Sequence, residues 1–97
     1  MASEKHQDGK VYEVEAGFIL ALGLHHGYWV NLKQAPGLAD ILATVRVGQD
    51  IDLVDKDGQF RKTLKVMDKN DRPMSIKVMD PDGDRHVNPG ERLRWHR

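Results

Sequence analysis

Cysteine is absent from this chain of 97 residues, which removes disulfide scaffolds, thiolate catalysis and Cys-based zinc sites together. Charge of one sign is missing as well, because 15 basic and 15 acidic side chains sum to zero. Disorder of a whole chain pairs high net charge with few apolar residues, and here the apolar set reaches 39%. Long hydrophobic runs are lacking. The longest, Ala16 to Leu24, spans nine residues and contains two glycines, whereas a membrane-spanning helix needs about 20. The first ten residues do not show the charged-then-apolar pattern of a signal peptide. The expectation is therefore a protein without a membrane segment, in the cytoplasm. Only four prolines occur and glycine follows no period, so a collagen or a low-complexity linker is excluded.

The charges also balance locally. Residues 1–48 carry four basic and five acidic side chains, residues 49–80 seven of each, and residues 81–97 four and three. A domain that lives on phosphate backbones shows a basic excess, because neutralised phosphates supply most of its nonspecific affinity. Only Glu91 to Arg97 holds such an excess.

What is present is a period of two. Tyr12, Val14, Ala16, Phe18, Leu20, Leu22 and Leu24 are apolar at every even position. Successive strand side chains point to opposite faces, so this pattern predicts one long strand with a buried even face. Gly17 and Gly23 are places for a bend or bulge. After His25-His26-Gly27 the alternation resumes in Tyr28, Val30 and Leu32, which predicts a hairpin with Gly27 in the left-handed turn position. Leu38, Ile41, Leu42 and Val45 fit a helical stripe, predicting a short helix near 38–43 that runs into a strand through Val47.

Three segments repeat one form: Leu53-Val54-Asp55, Val66-Met67-Asp68 and Val78-Met79-Asp80, each followed by turn residues. Asp accepts hydrogen bonds from the next backbone amides and a later Gly takes the left-handed position, so each copy reads as a strand end with a tight turn. Asn88-Pro89-Gly90 predicts another turn. Centring the middle hairpin on residues 69–71 sets Val66 against Met74, Leu64 against Ile76 and Lys62 against Val78, with Phe60 on the same inner face. The whole reads as a mainly β domain over residues 10–97, preceded by a flexible leader at 1–9. It is expected to be a small antiparallel barrel or sandwich of seven or eight strands.

The candidate chemistry is sparse. Asp80, Asp82, Asp84 and Glu91 stand at the 1, 3, 5 and 12 spacing of a calcium loop. However, Arg85 occupies the position that needs Gly, and Met74 to Val78 alternates as a strand. Adjacent His25 and His26 point to opposite faces on a strand and do not chelate one ion. No hydroxyl lies in a nucleophile elbow, and no Gly-rich loop joins a strand to a helix. The expectation is no enzyme, no cofactor and no metal. Arg92, Arg94, His96 and Arg97 interleave with Leu93 and Trp95, with Arg92, Arg94 and His96 on one strand face and Leu93 and Trp95 on the other, a recipe for contacts between proteins and for single-stranded nucleic acid. Trp95 packed inside a closing strand is the competing structural account. The expected function is a binding module, monomeric or weakly dimeric, that contacts a protein partner. Arg92, Arg94, Trp95 and Arg97 would form the surface, helped by Trp29, Met67 and Met79. A single-stranded nucleic-acid-binding barrel is one alternative, and a calcium-binding loop at 80–91 is another.

Overall fold

A computed structural model of the chain describes residues 10–20, 27–82 and 85–96. The proposed leader, His25, His26, Asp84 and Arg97 lie outside them. Six strands and one helix follow in order: β1 Val11–Leu20, β2 Tyr28–Leu32, α1 Leu38–Ala43, β3 Asp50–Val54, β4 Phe60–Asp71, β5 Met74–Met79 and β6 Arg92–His96. All pairings are antiparallel, and the order β1-β2-β5-β4-β3-β6 closes on itself as a barrel. Closure removes the unpaired strand edges that an open sheet must protect. Among the described residues the strand count is one or two below the sequence expectation.

The inner face follows the alternation in the hairpins. Val14 and Ala16 from β1, Val30 from β2, Leu53 from β3, Leu64 and Val66 from β4, Ile76 and Val78 from β5, and Leu93 and Trp95 from β6 are all buried. One end of the barrel is covered by α1, which inserts Leu38 and Leu42, followed by Val45. Lys69 Nζ donates to the carbonyls of Leu42 at 3.3 Å and Val45 at 2.8 Å. An ammonium thus adds to the hydrogen bonding of carbonyls at the helix C-terminus, where the dipole is negative. The opposite end is covered by Val87, fully buried, on the segment between β5 and β6.

Four expectations are corrected. Phe60, expected on the inner face, is 61% exposed, beyond the register shift between Leu53 and Val54. The even-position face of β1 holds only as far as Ala16. A bulge between Ala16 and Ile19 inserts an extra residue, so parity inverts. Ile19 then packs on the core, while Phe18 is 60% and Leu20 43% exposed. Gly17 sits in that bulge, where a Cβ would lie 3.2 Å from the Asn31 carbonyl oxygen. The middle hairpin turns later than residues 69–71, at Arg72 and Pro73, which are joined by a cis peptide bond. Val66 therefore faces Val78, and Asp71 faces Met74. Longer pairing carries Lys69 to the helix end, which the earlier turn would not allow. Finally, Val47 is not in a strand. It lies in a turn, 59% exposed, because Gly48 takes a positive φ of 95° and the next strand begins at Asp50.

The other turns form as the sequence indicates. Asp55 Oδ1 accepts from the backbone N–H groups of Asp57 and Gln59, and Gly58 has φ 87°. Glu91 N donates to the Asn88 carbonyl across Pro89-Gly90, and Gly90 has φ 93°. Gly27 has a positive φ of 97°, while the rest of the expected first turn lies outside the described residues.

Candidate functional site

Of the seven residues expected at a partner surface, the six that are described separate between the core and two stretches of the outer wall. Trp95 is 2% exposed, stacks on Tyr12 with ring centroids 6.1 Å apart, and donates its Nε1–H to Thr44 Oγ1 at 2.8 Å. It is a core side chain and offers no contact surface, so its place in the expected site is corrected. Leu93 and Trp95 share the inner parity of β6, and the large indole fills the space between the barrel wall and α1. Arg92 and Arg94 project from the outer face of the same strand. Glu13 on β1 faces Arg94 directly in register. Its carboxylate meets Arg94 Nη2 at 2.8 Å and Arg92 Nη1 at 3.5 Å.

Trp29, Met67 and Met79 occupy another stretch of the outer wall. Trp29 pairs with Leu20 on β1 and Lys77 on β5, and Lys77 in turn pairs with Asp68 on β4. These four side chains form one row across the strands. Met79 lies two positions along β5 from Lys77, and Met67, 36% exposed, lies beside Asp68. A shallow depression of about 310 Å³ opens here, lined by Leu20, Trp29, Asn31, Asn70, Pro73 and Ser75. Sequence reasoning missed Phe18 and Leu20, because the bulge that turns them outward leaves the even-position alternation intact. Gly17 was the available signal.

A second constellation closes the barrel end under Val87. Lys62 has inner-face parity opposite Leu53 and lies past the last apolar layer. Its Nζ reaches Asp80 Oδ2 at 2.8 Å and Asp82 Oδ2 at 3.4 Å. His86 Nδ1 lies 2.6 Å from the same Asp80 oxygen. Burial by itself pushes the Asp80 carboxyl upward, but hydrogen bonds from Lys62, from the Asp82 backbone N–H and from His86 outweigh it and hold the group at about 2. Lys62 is raised above its ordinary value, chiefly by the hydrogen bond to Asp80. Tyr28 Oη accepts from the backbone N–H of His86 at 3.2 Å and of Val87 at 3.4 Å. Burial is the main reason that this phenol is raised above its usual range.

The proposed calcium loop takes a different form. Asp82 N–H donates to Asp80 Oδ1 at 3.2 Å, which is the predicted turn. Glu91 instead turns to Arg61, whose Nη1 lies 2.7 Å from its Oε2, and accepts the Asn88 N–H at 2.9 Å. The carboxylate at the twelfth position is thus engaged with other partners.

No protein-family model matches the chain, and no curated protein or solved structure matches it either. Among the described residues, no helix is long and apolar enough to cross a membrane. The functional reading rests on geometry.

Proposed function

We propose that the protein is a non-catalytic binding module that docks a protein partner on the outer wall formed by β1, β2, β5 and β4. The observation that carries this is the cluster of Phe18, Leu20 and Trp29 on adjoining strands. Phe18 and Leu20 are 60% and 43% exposed, a depression lined by Leu20, Trp29 and Pro73 opens on one side of the Trp29–Lys77–Asp68 row, and Met79, level with Lys65, lies on the other side. An aromatic anchor with an adaptable thioether to one side suits an interface centre. Lys77 and Asp68 would then lie at its rim.

A protein fits this wall better than nucleic acid. The two arginines of β6 share Glu13, which offsets one of their charges, Lys65 pairs with Asp50 at 3.0 Å, and Lys33 with Glu15 at 3.5 Å. Paired cations release few counterions on meeting phosphate, so the electrostatic term that drives such binding is small. Hydrolysis by the Asp80–His86 pair lacks support too. The described hydroxyl near it is Tyr28, which accepts two backbone hydrogen bonds and is held protonated by burial.

The test compares capture from an extract of the source cell by three immobilised proteins: wild type, Leu20→Ser/Trp29→Ala, and Arg92→Ala/Arg94→Ala. A protein retained by the first and third and lost by the second supports the reading. Loss through the arginine pair alone, or capture of nucleic acid, overturns it.

A further inference from the structure

Asp80 Oδ2, Asp82 Oδ2 and His86 Nδ1 converge on one point, lying 2.8, 3.4 and 3.3 Å from Lys62 Nζ. We propose that Asp80, Asp82 and His86 form a binding site for a divalent cation of the zinc class, with the Lys62 ammonium as a built-in competitor that swings out when the ion enters.

The donor set selects the class of ion. An imidazole nitrogen and two carboxylate oxygens suit zinc, nickel or cobalt, whereas calcium takes six to eight oxygens. The donor atoms of the three residues all lie within 4.8 Å of one another. Ligands on a zinc ion are separated by at most about 4 Å, since each bond is about 2.0–2.2 Å. The shifts required are therefore well under the reach of side-chain rotation.

Charge also favours the exchange. Two carboxylates and one ammonium sum to −1 when His86 is neutral. A divalent ion in place of the ammonium brings the three ligands and ion to zero. Access is open, because the side chains of Lys62, His86 and Asp82 are 26%, 29% and 52% exposed while Asp80 is fully buried beneath them. Lys62 has a flexible four-carbon stem at the rim, so its head can leave for water without moving β4. The scaffold is held in place by the bonds from His86 and Val87 N–H to Tyr28 and by the Asp82 N–H bond to Asp80.

The experiment titrates tag-free protein with zinc chloride by calorimetry near neutral pH, using wild type, Lys62→Met, His86→Ala and Asp82→Asn. One ion per chain is expected. Lys62→Met should tighten binding by about tenfold or more, and either ligand variant should weaken it by at least about tenfold, each factor of ten being a modest free energy. Cobalt added to wild type should broaden the amide signals of Asp80, Asp82 and His86 first. Four other histidines, His6, His25, His26 and His96, can give background binding, so His86→Ala separates the sources. Unchanged affinity in His86→Ala, or no gain in Lys62→Met, overturns the proposal. Should Lys62→Met fail to fold, the cobalt map and Asp82→Asn still decide: broadening centred elsewhere, with affinity retained, rejects the site.

Discussion

Lys62 on β4 and Asp80 at the end of β5 meet across the mouth of the barrel, Nζ to Oδ2 at 2.8 Å, with the carboxylate fully buried and the ammonium at the rim. The pair sits where the apolar layers stop, so it seals the core with polar groups that satisfy one another. Breaking one partner leaves the other poorly solvated, the situation that buried charges tolerate least.

Acid stability follows from that contact. Asp80 ionises at about 2 in the folded chain against an ordinary 3.8. A depressed carboxyl pKa means that the unfolded chain binds the proton first, so the contribution is complete above about pH 4 and disappears as pH falls toward about 2. Urea midpoints measured through that window should decline with acid, and Asp80→Asn should flatten part of the decline. An identical slope in the variant would remove Asp80 from the account.

The alkaline side has the opposite sign. Tyr28 and Lys62 are both raised above their ordinary values of 10.0 and 10.5. Their protonated forms are favoured by the fold, so stability is full below about pH 10 and falls as pH rises through the folded values. Tyr28→Phe should remove the phenol's share of that fall. It should also cost about 1–3 kcal/mol at neutral pH, because the His86 and Val87 N–H groups lose their acceptor. Denaturant melts at neutral and alkaline pH read both effects.

Trp95 is predicted to be structural. Trp95→Ala should cost about 3–5 kcal/mol, the range for emptying a large aromatic site in a core. Leu20→Ser on the outer wall should stay within about 0.5–1 kcal/mol. Thermal or urea unfolding of the two variants compares them directly, and equal losses would contradict the assigned inner and outer faces.

Gly27 admits no side chain. Its φ is 97°, and a Cβ there would collide with the carbonyl oxygen of Val78 on the neighbouring strand. Gly27→Ala should lower the melting midpoint by more than Gly58→Ala, which shares a positive φ of 87° but meets nothing within 4 Å. Circular dichroism melts separate strain alone from strain plus collision.

The architecture was legible where local pattern and tertiary demand agree. Val14, Ala16, Val30 and the Leu64–Val66 pair alternate in sequence and are buried in the barrel, and Gly27, Asp55 and the 38–43 helix stand where their turn chemistry and stripe indicated. The exposed wall was not legible. One inserted residue at the Gly17 bulge reverses Phe18 and Leu20, and an alternation of apolar residues carries no mark of which side becomes wet. The β4–β5 register was hidden for a related reason. Lys69 is drawn to the carbonyls after α1, a long-range bond that no local turn signal encodes. The Lys62–Asp80–His86 cluster likewise joins residues that only barrel closure brings together.

The two tryptophans provide the most direct measurement. Nitrogen-edited NMR of the chain should show two indole N–H signals, from Trp29 on the outer wall and Trp95 bonded to Thr44 inside. On adding the captured partner, the Trp29 signal and the amides of Phe18 and Leu20 should shift, while the Trp95 indole and the Arg92 and Arg94 amides stay in place. Movement of Trp95 and β6 with Trp29 unchanged would contradict the account.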